Sequence, residues 1–188
     1  MANYCYYSMC VVGSKDSIEE FIKVIQADYN YDTMNFSYDR HLFRVFEAID
    51  DDIEKIGPNL YRVTISGNCA WSVASCMFDT HSTSYYSSLK SRYPDAFKGT
   101  TLPIESERLN LQIEVFSEEC GMEFQEHYVI INGDVKVDEC IDYYEYYIEE
   151  FATKEEAEKE LEMEITDEEW ENEDYITRGG FDSWDFSI

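Results

Sequence analysis

The chain has 188 residues, of which 41 are Asp or Glu and 14 are Lys or Arg, giving a formal net charge of −27. Hydrophobic residues make up 44% of it and aromatics 16%. That excludes wholesale disorder and fits one domain with a small appendage. The charge argues against a phosphate-binding surface, which needs clustered Lys and Arg to release counterions, and against attraction to anionic lipid.

Residues 3–13 read as a strand that is apolar on both faces. Tyr4, Tyr6, Cys10 and Val12 lie on one side, and Cys5, Tyr7, Met9 and Val11 on the other. Burial of both faces predicts a central strand, ended by Gly13. A helix is predicted at about 16–28, capped by Asp16 with Glu19 three residues on, and with Ile18, Phe21, Ile22 and Ile25 as its inward stripe. Residues 29–40 read as irregular, and 41–48 as strand, helix or a mixture. Asp50-Asp51-Asp52 and Gly57-Pro58 mark a loop. Leu60 to Ser66 is a predicted strand closed by Gly67-Asn68.

Further on, residues 83–93 read as a helix with Tyr86, Leu89 and Tyr93 on one side, stopped by Pro94. Leu109, Leu111, Ile113 and Val115 alternate with polar residues, the pattern of a half-exposed strand. Phe124 to Ile131 is another strand. Asn132-Gly133 is a type I′ hairpin signal leading into Val135, with 137–148 continuing as an edge-like strand. Thr153 and Glu156 form a capping box for a helix at about 153–163, and Glu155 and Lys159 form an i,i+4 pair. A second short helix is expected near Asp167. The tail, with Phe181, Trp184 and Phe186, is expected to dock on an apolar surface. This order predicts an α+β fold with helices on one face of a mostly antiparallel sheet, around a split βαβ core.

Several segments resemble the YubB-type ferredoxin-like proteins of phages and plasmids. They are Asn3-Tyr4-Cys5 followed by Gly13 and an amphipathic helix, Ala70-Trp71-Ser72, Tyr93-Pro94-Asp95, and Ser117-Glu118-Glu119 with Gly121 and Phe124. That family typically opens Asn-Trp-Cys; here Tyr4 replaces the Trp, and Tyr6-Tyr7 stands where a second Asn is usual. The similarity spans roughly residues 1–135, and 150–188 have no counterpart in it. The resemblance implies a ferredoxin-like fold and a mobile-element origin, and no activity. The expected layout is a ferredoxin-like α+β domain at 1–150 and an acidic helical extension with an aromatic tail at 151–188.

The usual chemical motifs fail on their spacing. Cys5 and Cys10 face opposite sides of a strand, and neither they nor Cys69 and Cys76 lie near a second pair with zinc-finger spacing. Asp50, Asp52 and Glu54 imitate the start of an EF-hand, but Lys55 and Tyr61 stand where Gly and Glu are required. His41, His81 and His127 have no marked nucleophile partner, and no nucleophile elbow or phosphate-cradling Gly loop occurs. No cofactor or catalytic residue is therefore assigned. Met1-Ala2-Asn3-Tyr4 carries neither a signal peptide nor an anchor pattern, so a cytoplasmic location (the host's, if phage-encoded) and reduced buried cysteines are expected.

The charge is unevenly placed. Residues 1–100 hold 13 acids and 9 bases, whereas residues 101–188 hold 28 acids and 5 bases. Between Asp138 and Asp174, 18 carboxylates face only Lys154 and Lys159. Alternate strand residues repeat at about 6.6 Å and helical i,i+4 residues at about 6 Å, of the order of phosphate spacing along a nucleic-acid strand. Such rows suit the Lys/Arg sites of a basic groove. The candidate surface is Asp138, Glu139, Asp142, Glu145, Glu149, Glu150, Glu155, Glu156, Asp167, Glu168, Glu169, Glu171, Glu173 and Asp174, with Tyr144, Tyr146 and Trp170 as aromatic anchors. In composition alone this half resembles phage DNA-mimic anti-defence proteins. The expected partner is a basic nucleic-acid-binding protein such as a CRISPR effector or restriction nuclease, with no direct nucleic-acid or membrane binding. The competing readings are a small carboxylate- or metal-dependent hydrolase or nucleotide-processing enzyme, and a mobile-element accessory protein with another partner.

Overall fold

A computed structural model describes residues 4–30, 35–78, 98–148, 150–172 and 175–188. Its axis is β1 (Tyr4–Gly13), which pairs antiparallel on one side with β7 (Leu60–Ala70) and on the other with β9 (Gln112–Glu119). Beyond β7 lie β5 (Val45–Asp50) and β6 (Glu54–Gly57), against opposite ends of the same strand. Beyond β9 come β10 (Phe124–Ile131), β11 (Asp134–Tyr147) and β12 (Tyr175–Gly179). Every pairing in this eight-stranded sheet is antiparallel. The pairs β2 (Tyr29–Asn30) with β3 (Asn35–Phe36), and β4 (Arg40–His41) with β8 (Lys98–Gly99), form two further small sheets. The architecture is thus α+β, with a large antiparallel sheet and a few helices.

α1 (Lys15–Ile25) and α2 (Leu102–Leu109) cover one face of the sheet. Cys5, Tyr7, Met9 and Val11 of β1 point into that layer, where they pack with Ile18, Phe21, Val24 and Leu102. Full burial of each such large side chain contributes roughly 1.5–3 kcal/mol. The inward stripe of α1 matches its sequence periodicity, but the cap differs. Ser14, extended at φ −70° and ψ 153°, accepts from Ser17 N–H at 3.2 Å, while Asp16 sits inside the first turn.

Other expectations are corrected. β7 does not stop at Gly67-Asn68 but runs to Ala70. Gly67 is there because a Cβ would collide with the Glu47 carbonyl and lie 2.7 Å from the Tyr7 hydroxyl. The absent side chain lets β5 approach, and Tyr7 Oη donates to Glu47 O at 2.8 Å. Leu109 ends a helix instead of starting a strand. Thr101 caps that helix, and Asn110, left-handed at φ 53°, closes it. β9 is buried on both faces, not half-exposed. Tyr4 and Tyr6 are exposed although β1 is central. Cys120 and Cys140 are exposed, whereas the other four thiols are buried. Phe124–Ile131 is a strand as predicted, and Asn132 (φ 50°) and Gly133 (φ 87°) both take the positive φ of the I′ turn. The expected helix at 83–93 lies outside the described residues.

β11 outruns β10. Its first part pairs with β10, and Tyr143–Tyr147 pair with β12, so its far end is not an edge. Around that end, α3 (Lys154–Leu161) and α4 (Asp167–Asn172) gather a small second core of Ile148, Ala157, Ile165 and Ile176. Gly179 and Gly180 then turn the chain at φ 83° and 75°. A Cβ at Gly179 would stand 2.7 Å from Asp142 O, so only glycine fits. The turn lays residues 181–188 over the sheet face opposite the helices.

Candidate acidic interface and the sheet face

β11 divides its acids between two faces. Asp138 and Asp142 stand opposite Tyr128 and Phe124, in the same alternate series as Tyr144 and Tyr146. Glu139 stands opposite His127, on the face that carries the tail. Tyr143 is buried while Tyr144 is exposed, the opposite orientations that strand geometry demands of neighbours. The Tyr144 and Tyr146 rings lie 6.5 Å apart, beside Asp142 in sequence. One face of β11 therefore presents Asp138, Asp142, Tyr144 and Tyr146 as a row.

The helical lobe holds the remaining candidates. Glu150, Glu155, Glu156, Asp167, Glu168 and Glu171 are exposed, and Glu145 and Glu169 are half-buried. Trp170 packs against the small core of Ile148, Ala157, Ile165 and Ile176. Glu149, Glu173 and Asp174 lie outside the described residues.

Part of this acidity holds the lobe together. Thr153 Oγ1 accepts from Glu156 N–H at 3.2 Å, the N-cap the sequence suggested, but Glu156 Oε2 reaches past Thr153 to Ala152 N–H at 3.2 Å, so the reciprocal half of the expected capping box is displaced by one residue. Thr166 and Glu169 form a complete capping box: Thr166 N–H donates to Glu169 Oε2 at 2.7 Å, and Glu169 N–H donates to Thr166 Oγ1 at 3.1 Å. Its Thr-x-x-Glu spacing was readable in the sequence, but the surrounding acids masked it. Arg178 binds Glu169 at 2.7 Å, and this hydrogen bond, with the Thr166 N–H, holds the carboxyl down at about 2. Lys154 binds Asp167 at 2.7 Å and keeps its carboxyl below the usual range.

Among the described residues, four acids of the acidic half are interior: Glu105, Glu114, Glu119 and Glu126. Burial alone would raise the Glu105 carboxyl, but hydrogen bonds from Thr100, Arg40 and Arg108 outweigh it and the net shift is downward. Glu126 accepts from Val73 N–H (2.8 Å), Ala74 N–H (3.2 Å), Ser117 Oγ (2.8 Å) and Tyr128 Oη (3.2 Å), anchoring a single π-helical turn at Ala74–Phe78. Glu114 clamps the C-terminal tail, accepting from Ser187 N–H at 2.6 Å and Ile188 N–H at 3.2 Å while contacting His127 Nε2 at 2.9 Å.

The predicted docking of the tail is visible here. Phe116 stacks on His127 at 4.1 Å and receives Phe181, Trp184 and Phe186 at 5.8, 5.9 and 5.9 Å. Gln125 Oε1 accepts from Phe181 N–H at 2.8 Å and fixes the start of the tail.

Of the bases in residues 101–188, Arg108, Lys136, Lys154 and Arg178 each lie in an ion pair, and Lys159 is exposed on α3. Among the described residues no group of three or more His, Cys, Asp or Glu is arranged to hold a metal ion, and no helix is long and apolar enough to cross a membrane. Comparisons with protein-family models, curated proteins and solved structures match none of them to this chain.

Proposed function

We propose that this chain is a phage or mobile-element inhibitor of a host nucleic-acid-binding defence nuclease, of the anti-CRISPR or anti-restriction kind. It acts as an acidic nucleic-acid mimic that occupies a basic groove, without turnover. The observation that carries this reading is the set of exposed carboxylates on β11, α3 and α4, mounted on elements fixed by their own small core and caps. A rigid acidic surface keeps its charge spacing, whereas a solvated tail would have to be ordered on binding at an entropic cost. Its field also speeds encounter with a basic partner.

Within this proposal the first part of the chain is a ferredoxin-like scaffold related to the YubB-type proteins. Support comes from the strand order β9-β1-β7-β5, with α1 following β1 and α2 preceding β9 on one face. The cytoplasm of the infected host is the compartment where such a target would be met.

The test is inhibition of purified CRISPR effectors and restriction nucleases across a salt series. Inhibition is expected to fall steeply between about 50 and 500 mM salt, because exposed charges are screened over that range. Reversal of Asp138, Asp142, Glu155, Glu168 and Glu171 to Lys is expected to weaken it by more than about tenfold. Inhibition indifferent to both changes would overturn mimicry.

A further inference from the structure

Among the described residues, the tail covers one half of the sheet face that receives it. Cross-strand rows make this explicit. One row runs Ile49, Ser66, Ser8, Phe116, His127 and Glu139 across β5, β7, β1, β9, β10 and β11. The tail seals the Phe116 and His127 end of it. At the other end lie Tyr4 (55% exposed), Tyr6 (57%), Phe46 (47%), Ile49 (62%) and Trp71 (43%). A cluster of exposed large apolar side chains on one face marks an interaction site, whereas scattered single ones do not.

Three features show that this cluster is built. First, the register between β5 and β7 shifts between Val45 and Glu47, so Phe46 is a bulged residue. A bulge re-aims a side chain, and here the Phe46 ring meets Tyr4 edge-on at 5.7 Å. Second, Trp71 and Arg44 both hold positive φ, 73° and 48°, which is costly for bulky side chains. Third, they are held there together. Ala70 N–H donates to Arg44 O at 3.1 Å, Glu126 grips the next turn through Val73 and Ala74, and the Arg44 guanidinium lies 4.3 Å over the Trp71 ring and 5.8 Å from that of Phe46.

We propose that the Tyr4–Tyr6–Phe46–Ile49–Trp71 face is a second docking surface, for a cationic, apolar segment of a protein partner. Charge selects the occupant. The row through Tyr6 places Glu47 and Glu118 on the same face to either side of it, with Asn68 between Tyr6 and Glu47. Arg44, the cation of the cluster itself, is held over Trp71, so the two flanking carboxylates leave the surroundings of the patch net negative. A second copy, a nucleic acid or an anionic bilayer would each meet like charge, whereas a segment bearing Lys or Arg beside apolar side chains meets opposite charge and aromatic rings together. The tail shows the binding mode on the sealed half: an aromatic segment laid on the sheet, each ring against Phe116. The proposal stands apart from the inhibitor reading, because the surface is distinct from the β11–α3–α4 acids.

The experiment uses the full isotopically labelled chain and two synthetic nonapeptides of equal positive charge, one alternating Lys and Leu, the other Lys and Ser. In heteronuclear NMR titrations the Lys–Leu peptide is expected to shift the amides of Tyr6, Phe46, Ile49 and Trp71 and to bind about tenfold more tightly than the Lys–Ser peptide. Phe46→Ser and Ile49→Asp, both at exposed positions, are expected to bring its affinity down to that of the Lys–Ser peptide, with the spectrum reporting an intact fold. The proposal is overturned if the patch amides do not move, if the variants bind like the parent, if an uncharged Leu–Ser peptide binds equally well, or if the free chain dimerises through these residues. None of these outcomes bears on the charge-reversal test of inhibition, which alters a different surface.

Discussion

The body of the molecule and its C-terminal lobe are stabilised by different physics. The body buries Phe21, Ile18, Met9, Leu102 and Ile113 completely in one continuous core. Among the described residues the core of the lobe has four buried side chains, one of them Ala157, and the lobe depends on the caps at Thr153 and Thr166 and on Lys154 and Arg178 to hold α3, α4 and β12 together. Burial is insensitive to salt, whereas ion pairs at exposed positions are screened by it. The body is thus a scaffold held by apolar burial, and the lobe is a charged surface held in shape by local hydrogen bonds. The lesson is that acids can be structural and available on the same element: in α4, Glu169 is engaged by Thr166 and Arg178, while Glu171 faces solvent.

The sharpest way to test this contrast is to damage each core. Phe21→Ala is expected to cost about 3–5 kcal/mol and to lower the urea midpoint of the whole chain, because it opens a cavity in the layer that α1 shares with β1 and β7. Ile176→Ala is expected to cost about 2–4 kcal/mol, but locally: hydrogen exchange should speed up in 143–179 while the β1 and β7 amides stay protected. Equal loss of protection in both regions would make them one cooperative unit and end the distinction. Thr166→Ala removes the cap of α4 and is expected to cost about 1 kcal/mol, read in the same exchange experiment and confined to the lobe.

The smallest effect is the pH dependence at Glu169. Its folded carboxyl titrates near 2 instead of the ordinary 4.5, so its stabilisation is complete above about 4.5 and is lost as the pH falls through 2. The stability difference between the parent and Glu169→Gln should therefore shrink across that window. A difference that grows toward acid would contradict the Arg178 and Thr166 assignment.

Periodic and turn signals carried much of the fold. The apolar stripe of α1, the strand Phe124–Ile131, the Asn132-Gly133 hairpin and the Thr153–Glu156 cap all follow from interactions within a few residues. Signals failed where a distant segment supplied the environment. Leu109 and Leu111 alternate like a strand, yet Thr101 and Asn110 bound a helix before β9. Glu114 reads as the outward position of a strand, but the tail arrives from the other end of the sequence and buries it. β12 was missed because five residues, Tyr175–Gly179, have no pattern of their own and become a strand only against β11. Glu118 and Glu119, neighbours in sequence, part the same way: Glu119 is buried and Glu118 meets Gln125 at 2.6 Å.

What the sequence determined by itself is the amount of negative charge and its concentration after residue 100, since composition does not depend on folding. Only tertiary structure decided which carboxylates face outward and which hold the chain. The reason is geometric: strand alternation splits the acids of β11 between two faces, and burial with donors in place turned Glu105, Glu114 and Glu126 into structural anchors. It also decided that Tyr4 and Tyr6, apolar by sequence and central by topology, lie open to solvent, because the tail covers only the Phe116 half of that face.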